Sequence, residues 1–188
     1  MKTLVLVRHA KSSWDDPGLD DHDRPLNQRG ERDAPRMARR LAGTGVRPDA
    51  ILSSTAVRAL TTAEVFGAVL GVQVERLERL YGASPATIAR VVAARDVDSV
   101  LVVAHDPGLS ILAARLAPGI VHMPTCAVAT FTWWDEAWHE GGGTGRGGGR
   151  DESGHDESGH DESGHDGTWG AAFESMPSTW RFDAPRMS

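Results

Sequence analysis

The sequence predicts an α/β fold of three layers, with a largely parallel central sheet covered by helices on both faces. Two observations predict the sheet: residues 3–7 and 98–104 are nearly unbroken aliphatic runs, the pattern of strands buried on both sides. A third predicts the helices, because amphipathic or capped stretches follow the strand-like runs in alternation.

The first run, Thr3-Leu4-Val5-Leu6-Val7, ends at Arg8. Residues 10–25 are rich in Asp and contain Pro17-Gly18, which marks a loop. Asn27 suits the cap of a helix whose apolar stripe includes Met37 and Leu41 and which Gly43 and Gly45 stop. Pro35 is expected in its first turns or at a kink. Residues 49–53 form a second strand, and Ser54 or Thr55 is the expected cap of a helix through Ala63 and Val69 to Gly71, with Arg58 in its first turn. The strand at 98–104 delivers His105, after which Asp106 is the expected cap and Pro107 the first residue of a helix reaching Leu116. Residues 127–134 and 179–182 are expected as two strands paired along one edge.

Between those last strands the composition changes. Residues 141–149 are almost all glycine, and Asp-Glu-Ser-Gly-His then occurs three times over 151–165. So short and polar a repeat buries nothing to offset its ordering entropy. The expectation is a single domain over 1–188, interrupted at 139–168 by a disordered insertion in a hairpin loop.

Charge narrows the function. Lys plus Arg is 20 and Asp plus Glu is 26, a net charge of -6, and residues 150–166 alone hold seven acids against one Arg. The remainder is neutral, with no basic face for nucleic acid and no polybasic membrane anchor, so a small or locally phosphorylated partner is expected. Cys126 is the only cysteine, which excludes an internal disulfide and fits a reducing cytoplasm. No apolar stretch approaches membrane-spanning length.

Arg8-His9 ends the first strand, His105 ends another, and Arg58 lies one helical turn beyond a third. A lone strand-end histidine is usually a satisfied loop residue. Three separate segments aiming basic groups at one sheet edge, where open α/β folds bind ligands, have no ready structural explanation. Other features take a plainer reading. Asp15, Asp16, Asp20, Asp21, His22 and Asp23 lack the spacing of a calcium loop and are expected as a solvated rim. His155, His160 and His165 suit a passive charged linker better than a weak metal site. Trp133, Trp134 and Trp138 are expected to pack around the last strands.

The segments Leu6-Val7-Arg8-His9-Ala10-Lys11-Ser12, Ser53 through Ala63 and Val103-Ala104-His105-Asp106-Pro107 resemble the three signature segments of the histidine phosphatase superfamily, over roughly residues 1–134. The short chain, Arg24-Pro25-Leu26 and the alanine after His9 make it most similar to the SixA-type phosphohistidine phosphatases. The resemblance implies a phosphoglycerate mutase-like fold and a phosphatase that needs neither metal nor cofactor. It implies that His9 accepts the phosphoryl group while Arg8, Arg58 and His105 bind its oxygens. The chemistry is consistent, since guanidinium and imidazole donors stabilise the charge on a phosphoryl group in transfer. Neighbouring cations would keep His9 a neutral nucleophile. Larger relatives carry a glutamate between the second and third segments that protonates the leaving oxygen. Here Glu78 and Asp106 are the candidates, with a surface residue and a helix cap the plainer readings, and no acid is assigned. The compact stretch from Arg58 to His105 implies an open pocket and favours phosphohistidine in a protein as substrate. The alternatives are a phosphatase or mutase of small phosphorylated metabolites, or a phosphate-binding module without turnover.

Overall fold

The computed structural model describes residues 1–134 and 168–185. In chain order the elements are β1 (Lys2–Arg8), α1 (Gln28–Gly43), β2 (Ala50–Ser53), α2 (Val57–Leu70), β3 (Val74–Arg76), α3 (Pro85–Ala93), β4 (Ser99–Ala104), α4 (Gly108–Leu116), β5 (Val128–Trp133), α5 (Trp169–Glu174) and β6 (Thr179–Asp183). Two 3-10 turns, Asp21–Asp23 and Glu78–Leu80, lie in the connections.

The strands form one six-stranded sheet in the order β3-β2-β4-β1-β5-β6. The first four are mutually parallel; β5 runs antiparallel to both β1 and β6, which form the expected edge arrangement. Strand side chains alternate between faces, and the core divides accordingly. Leu4, Leu6, Val100 and Val102 pack with α3, α4 and α5, whereas Val5, Val7, Leu101 and Val103 pack with α1 and α2. All eight are fully buried, each contributing on the order of 1.5–3 kcal/mol. This explains why both strands lack alternation in sequence and confirms the three layers.

The connection from β1 runs through α1 on one face, and the connection from β4 runs through α4 on the other. Helices leaving adjacent parallel strands for opposite faces open a crevice at the carboxyl ends of those strands. Arg8-His9 and His105 are the residues that end them.

Several boundaries differ from expectation. Asn27 does cap α1, accepting from Gly30 N–H at 3.0 Å. Pro35, however, stands well inside the helix. Its missing N–H fails to serve only the carbonyl of Glu31, an exposed residue, so the interior position is tolerated. α2 is capped by neither Ser54 nor Thr55 but begins after Ala56, without a side-chain cap. Pro107 is the N-cap of α4 and not its first residue, with Asp106 still accepting from Ser110 N–H at 3.3 Å. The short strand β3 and helices α3 and α5 lie outside the elements that the sequence predicts. Trp133 packs as expected, against Phe131, Trp169 and Phe173, but Trp134 is 54% exposed. Trp138, the three repeat histidines and the insertion expected at 139–168, apart from Thr168 at the cap of α5, lie outside the described residues.

Gly30 faces the loop that carries the site. A Cβ there would lie 2.2 Å from the Lys11 carbonyl oxygen, a backbone atom that cannot swing away. Gly30→Ala should therefore cost on the order of 1–3 kcal/mol, read as a lower midpoint in urea unfolding. An unchanged midpoint would contradict this close approach.

Candidate active site

Strand register brings the two histidines together. β1 and β4 pair with Arg8 opposite Ala104, so the next residues, His9 and His105, emerge side by side. Their ring centroids are 5.0 Å apart, and both residues are buried. β2 pairs with β4 at Ser53 and Val103, which places Ser54 beside His105, and the Ser54 hydroxyl lies 2.8 Å from His105 Nε2.

His9 Nδ1 lies 2.8 Å from the Ala10 carbonyl. A carbonyl only accepts, so Nδ1 carries the proton and Nε2 of the neutral ring is left with a free lone pair. Burial is the main force lowering the His9 pKa to about 4; the Ala10 bond opposes it, while Arg58, Arg8 and Arg24 add to it. Burial likewise lowers His105 to about 3, helped by His9 and Arg58. The neighbouring arginines do lower the His9 pKa, but desolvation outweighs them.

Arg58 enters from the first turn of α2. Its carbonyl accepts from the Thr62 hydroxyl at 2.7 Å, and that oxygen accepts from Ala10 N–H at 3.0 Å, which ties the helix to the His9 loop. Arg8 bonds the Met123 carbonyl at 2.8 Å and pairs with Asp106 Oδ2 at 2.8 Å. The Cys126 N–H reaches the carbonyls of both Arg8 and His9, at 3.0 and 3.1 Å. It does so with φ of 63°, a left-handed conformation unusual for a residue other than glycine. All four expected residues thus converge on the crevice.

The structure adds others. Asp21 is more than a solvated rim residue. Its carboxylate accepts from Arg58, Arg24 and Tyr81, each at 2.8 Å, and its carbonyl accepts a further bond from Arg58 Nη1. Partial burial works against its charge, but the bonds from Tyr81, Arg58 and Arg24 prevail and hold its pKa at about 2. His22 reaches the Thr55 hydroxyl at 3.0 Å. Arg24 also bonds Ser12 at 2.6 Å and stacks on the Trp14 ring at 3.1 Å. Arg24 is missed by the sequence reading, which uses Arg24-Pro25-Leu26 only as a mark of family branch, and no sequence signal singles out Asp21 from the other loop acids or Tyr81 from any exposed aromatic.

The two acid candidates are placed differently. Asp106 has one oxygen taken by Arg8 and the other by the Ser110 N–H and hydroxyl, which makes it a support for Arg8 and a helix cap. Glu78 is exposed on its turn, tied to the site through its carbonyl, which accepts from Tyr81 N–H at 2.8 Å.

Two histidines with lowered pKa values and the Arg8, Arg24 and Arg58 guanidiniums near them form a crevice whose charge and donors could accommodate a small oxyanion. Residues 4–83 match the sequence model of the histidine phosphatase superfamily, branch 1. The chain is 31% identical over 153 residues to an uncharacterised chloroplast protein of Arabidopsis thaliana, covering 74% of this chain and 70% of that one. It is 42% identical over 113 residues to an uncharacterised protein of Mycobacterium tuberculosis, covering 59% and 70%. Among solved structures, the protein of Agrobacterium tumefaciens assigned as the phosphohistidine phosphatase SixA is 31% identical, with a TM-score of 0.66 over 69% of this chain and 90% of that one. The protein histidine phosphatase SixA complexed with tungstate is 30% identical, with a TM-score of 0.63 over 72% and 90%. The chain belongs to the histidine phosphatase superfamily.

The lowered histidine pKa values make stability depend on pH. Both folded values lie below the ordinary 6.5, so the unfolded chain takes up protons first as pH falls. Their contribution is fully present above about pH 6.5 and is lost as pH falls through about 4 for His9 and about 3 for His105. The urea midpoint of a His9→Asn/His105→Asn variant should accordingly fall less between pH 7 and 5 than that of the wild type; parallel falls would refute the shifts.

Proposed function

We propose that this protein is a phosphatase that works through a phosphohistidine intermediate on His9 and removes phosphate from phosphohistidine in a protein. The observation that carries the reading is the placement of His9: Nδ1 lies 2.8 Å from the Ala10 carbonyl, which leaves Nε2 free for attack in a buried pocket where desolvation and the nearby arginines disfavour the protonated ring. A binding module has no need of a nucleophile kept in that state. The tungstate complex of the SixA relative supports the assignment, because tungstate is a tetrahedral oxyanion like phosphate.

In the proposed reaction Nε2 attacks phosphorus as the bond to the leaving group breaks. The phosphorylated ring carries positive charge, which the Nδ1–H bond to Ala10 stabilises. Arg8 and Arg58 offer planar donor forks to the equatorial oxygens. Ser54 accepts from Ala56 N–H at 3.3 Å and can turn its own hydroxyl proton to His105 Nε2. His105 would then hold its proton on Nδ1 and offer that N–H as a hydrogen-bond donor to a phosphoryl oxygen while remaining neutral. Water next attacks phosphorus, the P–N bond breaks, and inorganic phosphate leaves with His9 restored. We place the reaction in the cytoplasm, a reducing compartment that suits the unpaired thiol of Cys126.

His9→Ala should abolish turnover, and brief reaction of the wild type with substrate should leave an acid-labile label on His9; label on Ser, Asp or Cys would sink the mechanism. Arg8→Ala, Arg58→Ala and His105→Ala should each slow turnover by about 10²-fold or more, measured as kcat on an aryl phosphate.

Chelators should leave the rate unchanged, because the arginines supply the charge a metal would otherwise bring. Loss of activity on chelation, rescued by one divalent ion, would favour a metallophosphatase instead.

A further inference from the structure

Tyr81 borders the cradle without belonging to it. Its ring meets His105 edge-on, with centroids 5.5 Å apart and planes at 88°, and meets His22 at 5.2 Å and 74°. Its hydroxyl donates to Asp21 Oδ2 at 2.8 Å, on the same carboxylate oxygen that holds Arg58. Despite these three anchors the residue remains 39% exposed.

Displacement at phosphorus places the attacking and leaving atoms in line. His9 is buried, and a leaving group in line with Nε2 on the other side of phosphorus lies towards the open side of the crevice, where the partly exposed Tyr81 ring contacts His105. A ring pinned there by Asp21 cannot swing away without releasing its bond to the group that positions Arg58. Aromatic rings favour one another in offset or edge-to-face contact.

We propose that Tyr81 is a specificity-determining residue whose ring forms the wall against which a planar aromatic leaving group, such as the imidazole of phosphohistidine, packs as it departs. The proposal rests on His9 being the phosphoryl acceptor and names a selectivity that this role alone does not require.

Phosphohistidine and phosphoramidate both carry a P–N bond, but only the first has a ring on the nitrogen side. With the full chain, the ratio of their kcat/KM values should favour phosphohistidine in the wild type. The ratio should fall about 3- to 10-fold in Tyr81→Leu, the scale of one aromatic contact. Tyr81→Phe keeps the ring and should keep the ratio, even if both rates drop through the lost Asp21 bond. Equal losses on both substrates in Tyr81→Leu would reduce Tyr81 to a support for Asp21 and overturn the proposal. If Tyr81→Leu fails to fold, competitive inhibition of the wild type decides: phenylphosphonate should bind several-fold tighter than methylphosphonate, and equal inhibition overturns the idea. Wild type with no His9-dependent turnover of either substrate would instead bring down the reading of His9 itself.

Discussion

The parallel pairing of β1 with β4 is the constraint on which the rest depends. Its register fixes which residues leave the sheet together, and a shift of one position would send the strand side chains of one partner to the opposite faces. Because Arg8 stands opposite Ala104, His9 and His105 emerge as neighbours. The same register sends Leu4 and Val100 to one core and Val5 and Leu101 to the other. Packing of both faces therefore locks the spacing of the two imidazoles, and stability and site geometry share one origin.

Gathering three guanidiniums and two histidines in a crevice carries an electrostatic cost that the chain meets in two ways. The histidines give up their charge, chiefly because burial penalises the protonated ring. The arginines keep theirs and are held from outside the pocket, Arg8 by Asp106 and Arg58 with Arg24 by Asp21. Arginine has five N–H donors, so an acid that takes one or two of them fixes the fork without exhausting it. A carboxylate anchor also limits the repulsion between Arg24 and Arg58, which it bridges.

What was legible in the sequence follows the same division. β1, β4 and their terminal histidines were visible because full burial leaves an unbroken aliphatic run with an abrupt polar end. Arg58 was legible through its place one turn beyond the strand at Ala50–Ser53. β3 escaped because a strand of three residues with two exposed side chains carries no hydrophobic pattern. Ser54 has the residue type of a cap for α2, but in the fold its hydroxyl faces His105 and the helix begins after Ala56 without a side-chain cap. Asp21 and Tyr81 were hidden for another reason: they are 60 residues apart, and only the fold distinguishes this acid from its five polar neighbours in the loop.

The commitment of both Asp106 oxygens, to Arg8 and to Ser110, bears on what the proposed chemistry can break. Expelling the alkoxide of a serine ester requires a proton at the moment the P–O bond breaks. Asp106 is committed to Arg8 and Ser110, and freeing it would loosen one of the two arginines meant to hold the phosphoryl oxygens. An imidazole leaving group carries its own proton near neutral pH and departs as a neutral ring, so holding and attacking the phosphoryl group is enough. The wall proposed at Tyr81 would favour such a ring by contact, where an ester would need a proton.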